Sequence, residues 1–213
     1  QMLSFLPPQE DDIELLVLSQ ERIGLSAGRN RAVNAAAGEW IAITDIDCRP
    51  DPHWISKMLS QLPGLDGEDI VALTGRTVFD PGLTRISRLR SKSIEKKYAG
   101  RDKSVSLANG PCSMFHREKL LDIGGFDPSW YHAEDMEVSL KLVQEGGTIV
   151  YTPEAVVNHV PETGLHRFLK KRKRDARAHV RIHRRYKGVR HDFIGSSWIV
   201  LWMIPLMALG IFG

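Results

Sequence analysis

The stretch Ile41–Asp51, read I-A-I-T-D-I-D-C-R-P-D, decides how the chain is read. Three apolar residues and a threonine form a short strand pattern, and two carboxylates, Asp45 and Asp47, fall where that strand should end. In a strand, residues i and i+2 point to the same side. Two like charges on one side repel unless a cation lies between them. Asp-x-Asp is therefore a candidate site for a divalent metal and, through the metal, for phosphate. The same residues also read as turn aspartates capping a helix that starts near Pro50. Spacing alone leaves both readings open.

Upstream, I-E-L-L-V-L at 13–18 reads as a short buried strand. Gly24 and Ser26 suit a turn and a helix N-cap, with a helix over Ala27–Ala37 stopped by Gly38. Arg29 and Arg31 flank Asn30 in its first turn, where basic residues oppose the helix dipole. They are there either to hold an anion at the helix N-terminus or as solvated surface side chains. Downstream, Pro52–Leu62 reads as a helix and Ile70–Val78 as a strand. Strands alternating with helices predict an α/β, Rossmann-like fold with a mostly parallel sheet, whose ligands sit at the carboxyl ends of the strands.

The second half continues the pattern. Leu83–Tyr98 is a polar, basic helix, and Val105–His116 a strand interrupted by Asn109-Gly110-Pro111. Breakers inside an apolar strand indicate a bulge or a close approach of backbone to a ligand. Arg117–Ile123 reads as a short helix ended by Gly124-Gly125. Met136, Leu140 and Val143 make a helical stripe closed by Gly146. Glu134 and Asp135 lie in the first turn of that helix, where acids suit the dipole or present a general base. Thr148–Tyr151 reads as a strand, and His159 in Val156–Val160 as either a structural histidine or a ligand.

At 213 residues, 42% apolar and 26% charged, the chain can hold one α/β domain with a sizeable core. Its net charge of +3 hides an asymmetry: His166–His191 carries twelve Lys/Arg against Asp175 alone, so that segment is +11 and the remainder −8. The two cysteines, Cys48 and Cys112, supply neither a disulfide framework nor a metal-binding pair, and a reducing compartment fits. Phe193–Gly213 is 21 residues without a charge, long enough for one membrane span. Phe168, Leu169, Ala176, Val180 and Ile182 interleave with the basic residues, which suits an amphipathic helix on an anionic leaflet. The positive-inside rule then places the catalytic domain in the cytoplasm. A nucleic-acid-binding helix presents the same charge, but the adjoining apolar run argues against it, so no nucleic acid is expected. Some of these arginines could instead line the diphosphate or a lipid-phosphate acceptor. The expected organisation is a catalytic domain over 1–160, a basic juxtamembrane helix over 161–192 and a transmembrane segment over 193–213.

Several of these segments together resemble the family 2 glycosyltransferases, which have the GT-A-type nucleotide-sugar-binding fold. The resembling text is G-L-S-A-G-R-N at 24–30, T-D-I-D at 44–47, A-N-G at 108–110, G-G-F-D at 124–127, A-E-D at 133–135 and His159. The resemblance implies that Asp45 and Asp47 hold Mg²⁺ or Mn²⁺ against the diphosphate of a nucleotide-sugar donor, with His159 as a further metal or diphosphate ligand. It implies Asp135 as the base that deprotonates an acceptor hydroxyl, Glu134 beside it in the pocket, Arg29 and Asn30 near the nucleotide, and the Asn109-Gly110 turn lining the sugar pocket. An inverting transfer to a glycan or lipid-linked acceptor follows. The family's first strands, about 60 residues or two β-α units, should precede Ile13, so the chain reads as a fragment. The Gln-x-x-Arg-Trp motif of processive synthases is not found, which points to transfer of single sugars. A nucleotidyltransferase and a non-catalytic membrane scaffold are the rival readings.

Overall fold

The computed structural model describes residues 13–189 other than 17, 20, 22–23, 66 and 161–163. The strands are β1 (Trp40–Ile43), β2 (Cys48–Pro50), β3 (Ile70–Phe79), β4 (Ser104–Val105), β5 (Ser113–His116) and β6 (Thr148–His159). The helices are α1 (Leu25–Ala35), α2 (Trp54–Leu59), α3 (Arg85–Tyr98), α4 (Arg117–Asp122), α5 (Glu134–Gln144) and α6 (Leu165–Arg185). The strands form one sheet in the order β1-β5-β3-β6-β2, with β4 also on β6.

Side-chain alternation divides the apolar residues between the two faces of this sheet. On one face Ala72, Phe115, Ile149 and Tyr151 meet Val33 of α1, Ile94 and Tyr98 of α3, Leu120 of α4 and Val138 and Leu142 of α5. On the other, Leu73, Met114, Val150 and Val157 meet Trp54 and Met58 of α2. A third cluster, Leu107, Trp130, Leu140, Ile182 and Tyr186, packs α6 onto α5. The α/β layering therefore agrees with the alternation of strand and helix in the sequence.

The expected mostly parallel sheet is corrected to a mixed one. Only β3 and β6 pair in parallel, while β1/β5, β3/β5, β2/β6 and β4/β6 are antiparallel. Strands β1, β3 and β6 share one direction, and the short strands β2, β4 and β5 run against them. The turn at 44–47 between β1 and β2 is too short for a parallel crossover. Residue patterning reports which face is buried but not which way a short strand runs. The short strand expected at Thr148–Tyr151 runs on to His159 as β6, with a register shift between Thr74 and Arg76 of β3. Exposed Pro153 sits within that irregularity, where its missing N–H costs no ladder bond. There, a Cβ on Gly75 would stand 2.3 Å from the Ala155 carbonyl and 2.5 Å from Cys112 Sγ.

The expected strand at 13–18 does not form among its described residues: Leu15, Leu16 and Leu18 are exposed. The run is tied beside α1, where the Ala37 N–H donates to Glu14 Oε2, rather than joined to a sheet edge. A short apolar run has no periodicity that separates a strand from irregular chain. Helix α1 begins earlier than expected, with Gly24 at its N-cap and Ser26 inside it. The basic segment is a helix, as expected, but it docks on the domain with Arg172, Ala176, Ala178 and Ile182 buried. Among the described residues no helix is long and apolar enough to cross a membrane; the 193–213 run lies outside them.

Candidate active site

Because β1, β3 and β6 point the same way, their carboxyl ends form one edge. Asp45 and Asp47 lie just beyond β1, and Phe79 and His159, the last residues of β3 and β6, are paired in register. The capping alternative for the two aspartates fails, because Asp51 takes that task. Its carboxylate accepts from the His53 N–H at 2.9 Å, its carbonyl accepts from the Trp54 N–H, and it pairs with Lys57. Asp45 and Asp47 instead bracket a tight turn, closed by Cys48 N–H donating to the Asp45 carbonyl. The three-residue β2 then ties this turn to β6. Nothing in C-R-P announces a strand.

The side chains beyond β1 form a crowded acidic group. Arg29 donates to Glu134 Oε1 at 2.7 Å and to Asp45 Oδ1 at 3.3 Å. It stands over the Phe126 ring and is nearly buried, so the reason for a basic residue early in α1 is these two acids. Burial pushes Asp45 above the ordinary carboxylate range; Asp135 and Asp47 add to this, while Arg29 and His159 only partly offset it. Glu134 is raised by burial and by Asp135 against the pull of Arg29. One guanidinium does not balance these carboxylates, which is the electrostatic setting a divalent cation relieves.

The donor set fits such an ion. His159 Nδ1 lies 2.6 Å from the Val160 carbonyl, which can only accept, so Nδ1 carries the proton. In the neutral ring Nε2 is then a lone pair, 3.5 Å from Asp47 Oδ2. Two acceptors facing each other call for a proton or a metal between them. Stacking on Phe79 fixes the ring plane. Asp47, His159 and Cys48 bring ligand atoms within 4.8 Å of one another. Burial, then Asp45 and Asp47, push the Cys48 thiol up to about 12, leaving a carboxylate and an imidazole as the natural pair for a hard cation.

Across the cleft, Asp135 stands at the start of α5. Its Oδ2 accepts from the Gly110 N–H at 3.1 Å and its Oδ1 from the Met136 N–H at 2.9 Å. The residue before Glu134, Ala133, has φ 63°, the only non-glycine residue with positive φ among those described. Such strain in a buried alanine persists only where surrounding contacts enforce it. No sequence signal marks it, since no glycine stands there. Asn109 and Gly110 do lie against the cleft, but the Asn109 side chain is occupied. It donates to Thr74 Oγ1 and the Gly75 carbonyl and accepts from Thr77 Oγ1, so it shapes the turn that aims Gly110 at Asp135. Asn30 is likewise occupied, donating to the Phe126 carbonyl and accepting from its N–H, which pins the Gly124-Gly125 turn to α1.

Two residues of the cleft escaped the sequence reading. His132 Nε2 lies 2.6 Å from Asp175 Oδ1, which clamps α6 to the loop just before Glu134 and Asp135, and Asp175 Oδ2 is 2.6 Å from Arg172 one turn away on α6. The available signal was Asp175 itself, the lone acid in a basic run. The cleft has two chambers. A narrow one of about 270 Å³ is lined by Asp45, Asp135, Asn109 and Arg172 among others. A broad one of about 940 Å³ is lined by Asp47, Tyr131 and the cationic face of α6. His132 and His159 border both.

Comparison with known proteins gives the family. The family model described as "Glycosyl transferase family 2" matches residues 1–124, more than half of the chain. The chain belongs to the family 2 glycosyltransferases. The chain is 28% identical over 164 residues to a putative polypeptide N-acetylgalactosaminyltransferase 13 of Drosophila melanogaster, covering 67% of this chain and 28% of that protein. It is 22% identical over 198 residues to the glycosyltransferase AglE of Haloferax volcanii, covering 92% of this chain and 63% of AglE. Among solved structures, the mannosyltransferase PcManGT from Pyrobaculum calidifontis, in complex with GDP-Man and Mn²⁺, superposes with a TM-score of 0.61 at 23% identity. That match covers 93% of this chain and 58% of PcManGT, and it supports the GT-A-like fold. The chain spans about a third of the length of the first curated relatives it matches.

Proposed function

We propose that this chain is the catalytic part of a metal-dependent, inverting glycosyltransferase that moves a sugar from a nucleotide-sugar donor to an acceptor hydroxyl. The observation that carries the reading is the meeting of Asp45, Asp47 and His159 at one sheet edge with Asp135 across the cleft. The GDP-Man and Mn²⁺ bound by the similar mannosyltransferase support the donor class and the metal. Asp47 and His159 would hold Mg²⁺ or Mn²⁺, and Asp45, steadied by Arg29, would complete the acidic side of that site. The ion, when bound, neutralises the charge that develops on the departing diphosphate. Asp135, held by two backbone N–H groups, accepts the proton of the acceptor hydroxyl. That oxygen bonds to the anomeric carbon as the bond from carbon to phosphate oxygen breaks, and a nucleoside diphosphate leaves. A single base with direct displacement inverts the anomeric centre.

The reading extends to location. The uncharged run at 193–213 and the adjoining basic helix support attachment to a membrane with the catalytic domain on its cytoplasmic side, acting on a glycan or lipid-linked acceptor.

The test uses the full-length protein. Asp135→Asn should lower nucleoside diphosphate release during transfer by roughly 10²–10⁴-fold, while Mn²⁺-dependent nucleoside diphosphate binding, read by calorimetry, survives. Asp47→Ala should lose that binding. Transfer unchanged by Asp135→Asn would remove the base from the scheme.

A further inference from the structure

The broad chamber holds more positive charge than a nucleotide-sugar donor can match. Arg167, Lys170, Lys173, Arg174 and Arg177 of α6 line it, and Asp47 is the acid among its lining residues. None of the five forms an ion pair with an acid among the described residues. The Nε–H of Arg174 is buried without a hydrogen-bond partner. One divalent cation at Asp47 and His159, set against the Asp47 carboxylate and a donor diphosphate of about two negative charges, leaves about one negative charge to meet the five cations of α6. A neutral sugar in the narrow chamber adds none. Five clustered cations repel one another and are stabilised by a second anion.

We infer that the α6 chamber is a binding site for a phosphate group carried by the acceptor, distinct from the donor diphosphate. The assignment to an acceptor rests on the glycosyltransfer reading; the anion site itself does not. The acceptor would place its phosphate among Arg167, Lys170, Lys173, Arg174 and Arg177 and extend its hydroxyl toward Asp135 past His132 and His159, which line both chambers. Its specificity would come from charge on α6 rather than from contacts to a sugar.

The experiment uses full-length protein in EDTA, with two probes: inorganic phosphate, followed by calorimetry, and phosphatidylcholine vesicles with and without phosphatidic acid, followed by sedimentation. The expected result is metal-independent binding of at least one probe. Charge reversal at two exposed positions, Lys173→Glu with Arg177→Glu, should weaken it by roughly tenfold or more. Arg167→Glu with Lys170→Glu, a second pair on the same helix, should do the same, which guards against one variant's misfolding. Phosphate binding identifies a soluble phosphate-bearing acceptor; binding of phosphatidic acid vesicles alone identifies a phosphate presented by a lipid. Binding should persist with UDP or GDP and Mn²⁺ already bound. Displacement by that nucleotide would assign the chamber to the donor and overturn the inference. So would an absence of metal-independent binding, or binding insensitive to both charge-reversal pairs. A wild-type protein that binds no nucleoside diphosphate with Mn²⁺ would instead overturn the proposed function, leaving the anion-site measurement intact.

Discussion

The two walls of the cleft are built by opposite means. The wall from β3 and the loop at 106–112 is neutral and saturated. Thr74, Thr77, Gly75 and Asn109 exchange hydrogen bonds in a buried network, and the Thr74 hydroxyl donates to the Cys112 carbonyl. The facing wall, α6, is charged and held at a few points. These are Asp175 between His132 and Arg172, Arg181 on Ser129 and over the Trp130 ring at 3.9 Å, and Tyr186 on Glu137. A neutral network keeps its geometry whatever the salt or pH, whereas a charged clamp yields to both. The rigid wall positions Gly110 and hence Asp135; the conditional wall brings the cations.

The largest break in this contrast is expected from Asn109→Ala. It removes the acceptor of the Thr77 hydroxyl and the side-chain donors to Thr74 and the Gly75 carbonyl in a buried site, at a cost of about 3 kcal/mol, or roughly 6–12 °C in Tm. The loss should be the same in low and high salt. A salt-dependent loss would show that the network is not the neutral scaffold described.

A smaller effect is expected from Asp175→Asn. Burial pushes Asp175 up, but the His132 hydrogen bond and the Arg172 charge outweigh it, so the carboxyl sits below its ordinary value. A lowered folded value means that the stability is present above the ordinary carboxylate range, near pH 4, and is lost as acid carries the pH down through the folded value. Removing the charge leaves buried Arg172 without its counter-ion, at about 1–2 kcal/mol after allowing for partial exposure. Tryptic cleavage within α6 should speed up while the sheet remains resistant. High salt should bring wild type part of the way to the variant, and the variant should lack the acid-induced release of α6.

The same contrast explains what was legible in the sequence. The strand pattern ahead of Asp45 and Asp47 placed that pair at the ligand edge of a sheet, whereas spacing left Asp135 and His159 open and only the family resemblance gave them roles. The direction of β2, β4 and β5 could not be read, since two to four residues carry no period. The backbone partners of Asn109 and Asn30 could not be read either, since Thr74, Gly75 and Phe126 lie far from them in sequence and meet them only in the fold. The docking of α6 was hidden for a related reason. Its charge dominates any count, while the residues that seat it, Ile182 and Tyr186, meet Trp130 and Leu140 only in three dimensions.

The smallest predicted effect lies at the end of the clamp. Glu137 is buried on α5; its Oε1 accepts from the Tyr186 hydroxyl at 2.7 Å, while Oε2 has no partner. Burial raises the Glu137 carboxyl, with Tyr186 and Lys141 only partly opposing it. The sign is therefore opposite to that of Asp175. A raised folded value means that the favourable contribution is complete below the ordinary glutamate range, near pH 4.3, and is lost as the pH rises through the folded value. Above that point the native protein keeps an unmatched charge in an apolar cluster. Glu137→Gln keeps an acceptor for Tyr186 and removes the charge. It should raise Tm at pH 8 by the equivalent of up to about 1 kcal/mol, or roughly 2–4 °C, and the gain should vanish toward pH 4, where the wild-type carboxyl is protonated. A difference in Tm that stays constant between pH 4 and pH 8 would show that the Glu137 carboxylate is hydrated, and that α6 is seated there by packing of Ile182 and Tyr186 alone.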